Sequence, residues 1–194
     1  MDYLYPCKPS RLERASSLFL SLNNDPLWVG EAKRNGWRCL AMRDYGGALT
    51  LWTRHKTVIP DKLPELRALL AAQLPEGTLV DGELLERRTK QVKGEYYVFD
   101  ILLLKGEPVT SLPLRTRRRL LESVLKPDRE HITIPGWQIE DKIGLYDRSI
   151  EGEDVEGIVI KKVDSTHMAS LRSCQQHPFW LKVKRHEEHV KVAA

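Results

Sequence analysis

Two apolar segments constrain the fold most. TLVDGELLE (78–86) and EYYVFDILLL (95–104) read as buried strands, joined by the basic connection ERRTKQVK (86–93). A chain with this pair at its centre has a sheet core. The remaining segments extend that sheet or cover it. LWVGEAK (27–33) and WRCLAMRD (37–44) read as strands, and Gly46-Gly47 turns the chain into a further strand, ALTLWTR. Residues 63–74 form a short apolar-faced helix with Pro64 in its first turn, and 115–125 form an amphipathic helix with a basic start. The spacing of Leu12, Ala15, Leu18, Phe19 and Leu22 predicts a helix over 11–22, stopped by Asn23-Asn24-Asp25-Pro26. HITIP (131–135) is a strand and 139–151 a helix. GIVIKK and PFWLKVKR close the chain as strands around a polar loop over 163–178. No Pro/Gly/Ser linker divides the chain, so residues 1–194 are expected to form a single α+β domain with mostly antiparallel sheets.

Composition narrows the class. Hydrophobic residues are 41% and charged residues 30% of 194, which excludes a disordered chain. No apolar run approaches the roughly 18 residues of a membrane-spanning helix, and MDYLYPCKPS has no signal-peptide core. Cys7, Cys39 and Cys174 are odd in number and widely spaced, without zinc spacing. A reducing, cytoplasmic location is therefore expected. The net charge of +4 permits a nucleic-acid partner without demanding one.

Certain charged residues stand where chemistry could use them. Lys33 ends an apolar strand before Arg34-Asn35-Gly36, so it is either a solvated turn lysine or a nucleophile aimed into a cleft. Glu83 lies inside VDGELL and Glu156 just before GIVIKK. A carboxylate at such a position needs a metal, a ribose hydroxyl or a salt-bridge partner. Lys182 and Lys184 alternate on one strand face and repel each other unless an anion lies between them or the face is exposed. Phe99 is a core residue or a platform for a base, and Asp100 points to the opposite face. The arginines of 115–119 are a solvated helix face or phosphate contacts. His186 and His189 belong to a frayed tail.

In order along the chain, these pieces resemble the covalent nucleotidyltransferases, the superfamily of ATP-dependent DNA ligases, RNA ligases and mRNA capping enzymes. Lys33-Arg34-Asn35-Gly36 approximates the nucleophile motif Lys-x-Asp-Gly, followed by Arg38. Thr53-Arg54 resembles the next short motif, Asp81-Gly82-Glu83 the central acidic motif, and YVFD (97–100) the aromatic one. Glu156 to Lys161 is similar to the Glu-Gly-x-Val-x-Lys type, and Trp180 to Lys184 to the last motif of the catalytic domain. The stretch FDILLLKGEPVTSLPLRTRRRLLESVL is more similar to DNA ligases than to capping enzymes. The resemblance covers about residues 31 to 184.

The resemblance implies a nucleotidyltransferase domain, with two mainly antiparallel sheets flanked by helices and ATP between them. It implies that Lys33 attacks the α-phosphate of ATP, carries AMP, and serves to seal nicks in duplex DNA during repair or replication. An unprotonated lysine is required, and the charges of Lys182, Lys184 and a bound metal would favour it. Glu31 would read the adenine amino group and Phe99 would stack on the purine. Arg38 and Arg54 would hold ribose and phosphates. Glu83 would hold the ribose or share Mg²⁺ (or Mn²⁺) with Glu156. The expected partner is nicked DNA, or RNA, and the expected state is a monomer.

Two departures stand out. Asn35 replaces the motif aspartate, keeping an acceptor but losing its charge. After Lys184 only ten residues follow, too few for the OB-fold domain that usually comes next, so a separate OB-fold or DNA-binding partner is one expectation and a cut from a longer ligase another. The same motifs fit an RNA ligase or RNA-end adenylating enzyme. Asn35 and the missing OB fold fit a nucleotide- or nick-binding module that has lost catalysis.

Overall fold

The computed structural model describes residues 3–85, 94–152 and 154–185. The basic connection 86–93 and His186 and His189 lie outside them. The elements run β1 (Lys8–Arg11), α1 (Ser17–Ser21), β2 (Trp28–Arg34), β3 (Trp37–Arg43), β4 (Leu49–Thr53), α2 (Pro64–Gln73), β5 (Thr78–Leu85), β6 (Glu95–Leu104), β7 (Glu107–Pro108), α3 (Leu114–Val124), β8 (Ile132–Thr133), α4 (Lys142–Glu151), β9 (Val155–Lys162) and β10 (Gln176–Lys184). Two sheets form. One has the order β1-β10-β9-β2, and the other β4-β3-β5-β6-β7 with β8 pairing β6. All pairings are antiparallel except β1 with β10 and β8 with β6. The mainly antiparallel two-sheet α+β architecture expected from the sequence is what forms.

Period-2 alternation decides which side chains reach the space between the sheets. On β9 and β10, Ile158, Ile160, Leu181 and Val183 turn outward and pack with Phe19 of α1 and Tyr146 of α4. Their neighbours Val159, Lys161 and Trp180 turn the other way and line a cleft. In the second sheet, Cys39, Ala41, Val80, Leu84, Tyr96 and Val98 pack against Leu66 and Leu70 of α2 and Leu121 of α3. Arg38, Glu83, Tyr97 and Phe99 face the cleft. Each fully buried leucine of this core contributes about 1.5–3 kcal/mol, so the two cores clamp the sheets while charged residues occupy the faces between them.

Two motif glycines have a steric origin. Gly157 sits at φ +139°, and a Cβ there would lie 2.0 Å from the Val183 carbonyl oxygen. It pairs with Lys33 on one side and Lys184 on the other, so both lysines flank the strand that carries Glu156. A Cβ at Gly36 would fall 2.6 Å from the Leu84 carbonyl oxygen. Its absence brings β3 close enough for the Gly36 N–H to donate to Glu83 at 3.1 Å.

The structure corrects some expectations. The helix expected over 11–22 is only Ser17–Ser21, capped by the Ser16 side chain, because residues 8–11 pair with β10. HITIP contributes only two strand residues, and β10 begins within the expected loop, at Gln176. The arginine cluster is not one solvated face. Arg117 and Arg118 of α3 are buried, and Arg117 is bound to Asp100. No described helix is long and apolar enough to cross a membrane.

Candidate active site

A cleft opens between the sheets, lined by side chains from both of them. β2 supplies Glu31 and Lys33, β3 Arg38, β5 Glu83 and β6 Phe99. Five residues singled out in the sequence therefore meet in one wall-to-wall space. Lys161 and Trp180 line it as well, although the sequence reading gave them no role. Lys161 was legible only as the last residue of the Glu-Gly-x-Val-x-Lys stretch.

Lys33 Nζ donates to Glu156 Oε2 at 2.7 Å. Lys184 Nζ approaches the same oxygen at 2.6 Å. Burial pushes the Glu156 carboxyl up, but the hydrogen bonds from Lys184 and Lys33 outweigh it and hold it below the usual value. Lys182 lies beside them. Burial first, then repulsion from Lys184, Lys33 and Lys8, pushes its amine down. Glu83, across the cleft, behaves oppositely to Glu156. Its burial pushes the carboxyl up more than Lys33 and Arg38 pull it down. A cation near Glu83 would relieve that cost.

The base of the cleft is a buried ionic lattice. Arg38 grips Asp81 with two hydrogen bonds and lies 4.7 Å over the Phe99 ring. Lys161 lies 4.7 Å from the same ring and from Trp180. Lys161 Nζ donates to Glu31 Oε2 at 2.6 Å, and the Trp137 indole N–H donates to Glu31 Oε1 at 2.7 Å. Glu31 thus reaches the cleft wall with both oxygens already engaged. Arg54 is not among the lining residues. It is exposed and donates to His55.

Behind Asp81 sits His167, 3.8 Å from it and 3.5 Å from Cys7 Sγ. Burial opposes charge on His167, but Cys7, Asp81 and Asp100 outweigh it, and its pKa is pushed up to about 9. Asp81 and Asp100 go the other way: burial raises them, and Arg38 and Arg117 respectively pull them below 3.8. The two aspartates therefore stabilise the fold above pH 3.8 and lose that contribution as the pH falls below it. His167 contributes fully below 6.5 and loses its contribution as the pH rises through about 9. Urea unfolding midpoints are expected to be highest between these limits and to fall on both sides. A midpoint that rises from pH 6.5 to 9 would contradict the charged His167.

Among the described residues, no group of three or more His, Cys, Asp and Glu side chains could hold a metal ion. Mg²⁺ commonly takes one or two carboxylates with substrate phosphates and water. Glu83, whose burial outweighs the pull of Lys33, Arg38 and the Gly36 N–H, and Glu156 would be the carboxylates that meet that limited requirement.

Residues 85–184 match the model of the ATP dependent DNA ligase domain. The chain belongs to that family. This ligase domain is 30% identical over 178 residues to the SPbeta prophage-derived DNA ligase-like protein LigB of Bacillus subtilis (strain 168), covering 82% of the chain and 62% of the relative. It is 26% identical over 170 residues to the multifunctional non-homologous end joining protein LigD of Mycolicibacterium smegmatis, covering 81% of the chain and 21% of the relative. Among solved structures, the ligase domain of M. tuberculosis LigD has a TM-score of 0.70 at 25% identity, over 93% of this chain and 59% of that one. A mycobacterial DNA ligase D complexed with ATP and MES has the same TM-score at 24% identity, over 94% and 60%, a likeness of fold. The ligase domain described here thus spans less than two thirds of the length of these relatives.

Proposed function

We propose that these 194 residues act as a single adenylation domain that forms lysyl-AMP at Lys33 and seals nicks in duplex DNA. The observation that carries the reading is the position of Lys33. Its amine lies on the cleft wall, held by Glu156 with Lys184 on the same oxygen, and opposite Glu83 and Phe99. The purine of ATP would lie against Phe99, whose ring is already flanked by the cations Arg38 and Lys161. Arg38 would meet the ribose, Glu83 a ribose hydroxyl, and Glu31 the base edge through its lattice with Lys161. Arg54, Lys182 and Lys184 would meet phosphates.

The neutral Lys33 amine attacks the α-phosphorus of ATP. The N–P bond forms, the bond from the α-phosphorus to the bridging oxygen breaks, and pyrophosphate leaves while the amine proton passes to solvent. Glu156 is held too acidic to be a strong base, so its role is to aim the amine. Lys182 and Lys184 stabilise charge on the phosphoryl oxygens. The 5′-phosphate of a nick next attacks the same phosphorus and releases Lys33. The 3′-hydroxyl then attacks the 5′-phosphate, expelling AMP and closing the strand. Glu83 and Glu156 would hold Mg²⁺ or Mn²⁺ together with phosphate oxygens. When bound, such an ion neutralises phosphoryl charge.

The test presents labelled ATP or GTP with Mg²⁺, then nicked DNA and nicked RNA duplexes. Transfer of label from ATP to the protein and sealing of DNA are expected. Sealing of RNA alone would overturn the DNA assignment, and labelling without sealing would reduce the chain to an adenylating module.

A further inference from the structure

Trp137 belongs to none of the motifs above and is not among the residues lining the cleft, yet it holds one that is. Its loop runs beside β2. The Gly30 N–H donates to the Gln138 carbonyl at 2.8 Å, and the Gln138 N–H donates to the Gly30 carbonyl at 2.9 Å. This two-way bridge seats Trp137 next to the strand that carries Glu31. The Trp137 ring packs against the cluster of Val29 and Leu114, and the Arg118 guanidinium lies 5.3 Å over it. The indole N–H donates to Glu31 Oε1 at 2.7 Å, and Lys161 Nζ donates to Oε2 at 2.6 Å. Glu31 is only 3% exposed.

Two donors on different oxygens fix both the place and the rotation of a planar carboxylate. Paired with Lys161, the carboxylate accepts hydrogen bonds and offers none, and each oxygen keeps a further lone pair. A purine edge that meets it must present a donor at that point. Adenine carries an amino group at C6. Guanine carries a carbonyl oxygen there and places its donors at N1 and C2. A carboxylate free to swing follows those donors, and a pinned one does not. A competing donor stands close by. Arg118 Nη1 is buried, has no hydrogen-bond partner among the described residues and lies 3.7 Å from Glu31 Oε1. Without the indole N–H, this guanidinium is placed to draw Oε1 toward itself.

We propose that Trp137 is a positioning residue for base selection: its indole N–H pins Glu31 as an acceptor for a 6-amino purine and against a 6-oxo purine. The proposal rests on the ligase reading, in which the base lies against Phe99 and its edge meets Glu31.

The test is equilibrium binding of AMP and of GMP to the wild type, to Trp137→Phe and, as a control in the same loop, to Gln138→Ala, whose side chain donates to the Glu140 carbonyl. Phenylalanine keeps an aromatic face for Arg118 and lacks the N–H. The wild type is expected to favour AMP. Trp137→Phe is expected to lower the AMP-to-GMP affinity ratio roughly tenfold, and Gln138→Ala to leave the ratio unchanged. A merely structural loss would weaken both nucleotides alike. An unchanged ratio in Trp137→Phe, or an equal fall in Gln138→Ala, overturns the proposal. If Trp137→Phe does not fold, the indole N–H proton resonance of Trp137 in the wild type decides instead. AMP is expected to shift it more than GMP does, and equal or absent shifts overturn the proposal. Equal binding of AMP and GMP by the wild type overturns the proposal and leaves the ligase reading standing. Binding of neither nucleotide counts against the ligase reading itself and removes the proposal with it.

Discussion

Lys33→Ala is expected to abolish transfer of AMP from ATP to the protein, lowering it by roughly 10⁴-fold or more, the usual scale for loss of a nucleophile. The fold should survive. Lys33 is only partly buried, and its one carboxylate partner, Glu156, keeps Lys184 at 2.6 Å. Glu83 across the cleft loses the pull of Lys33 but keeps that of Arg38 and the Gly36 N–H, and protonation can relieve what remains, so the thermal midpoint should move little. Lys33→Arg separates the roles. A guanidinium can still pair with Glu156 but does not lose its proton, so it should remain stable and equally inactive. Adenylation of Lys33→Ala at near wild-type yield would place the nucleophile elsewhere.

The second large effect is on stability. Asp100→Ala should destabilise the chain by about 3–5 kcal/mol, lowering the thermal midpoint by roughly 10 °C. Asp100 and Arg117 have fully buried side chains and share two hydrogen bonds, at 2.8 and 2.9 Å. Arg117 also donates to the carbonyls of Leu112 and Ser165, so it ties α3 to the loop that follows β9. Removing the carboxylate strands a guanidinium out of water. Replacing both residues with apolar ones, Asp100→Leu with Arg117→Met, should restore much of the loss, because the cost lies in the unpaired charge more than in the missing pair. Calorimetry of the single and double variants checks this. A double variant as unstable as Asp100→Ala would argue that the carbonyl contacts of Arg117 matter more than its charge.

These two residues also show what the sequence reveals and what it hides. Lys33, Arg38, Glu83 and Phe99 are legible because strand alternation and motif order act together, and the structure brings all four to one cleft. Arg117 is not legible. In RTRRRLL it looks like any basic helix face, and only the long-range approach of α3 to β6 reveals Asp100 as its partner. β1 escapes for a different reason. KPSR is a four-residue edge strand containing proline, with no hydrophobic alternation, and it exists because β10 offers it an open edge. The shortened α1 follows from that pairing. Lys161 and Trp180 sit in strands that read as core, and their cleft-facing role depends on which face of the sheet the helices α1 and α4 occupy. Sequence periodicity gives two faces but does not name which one is covered.

The central claim is that Lys33 is the covalent nucleophile of an ATP-dependent ligase domain. The most direct measurement incubates the protein with ATP and Mg²⁺, omits DNA, and locates any adduct by peptide mass spectrometry. An AMP group on the peptide containing Lys33, removed by added pyrophosphate, is the predicted result. An unmodified Lys33, or AMP on another residue, would contradict it.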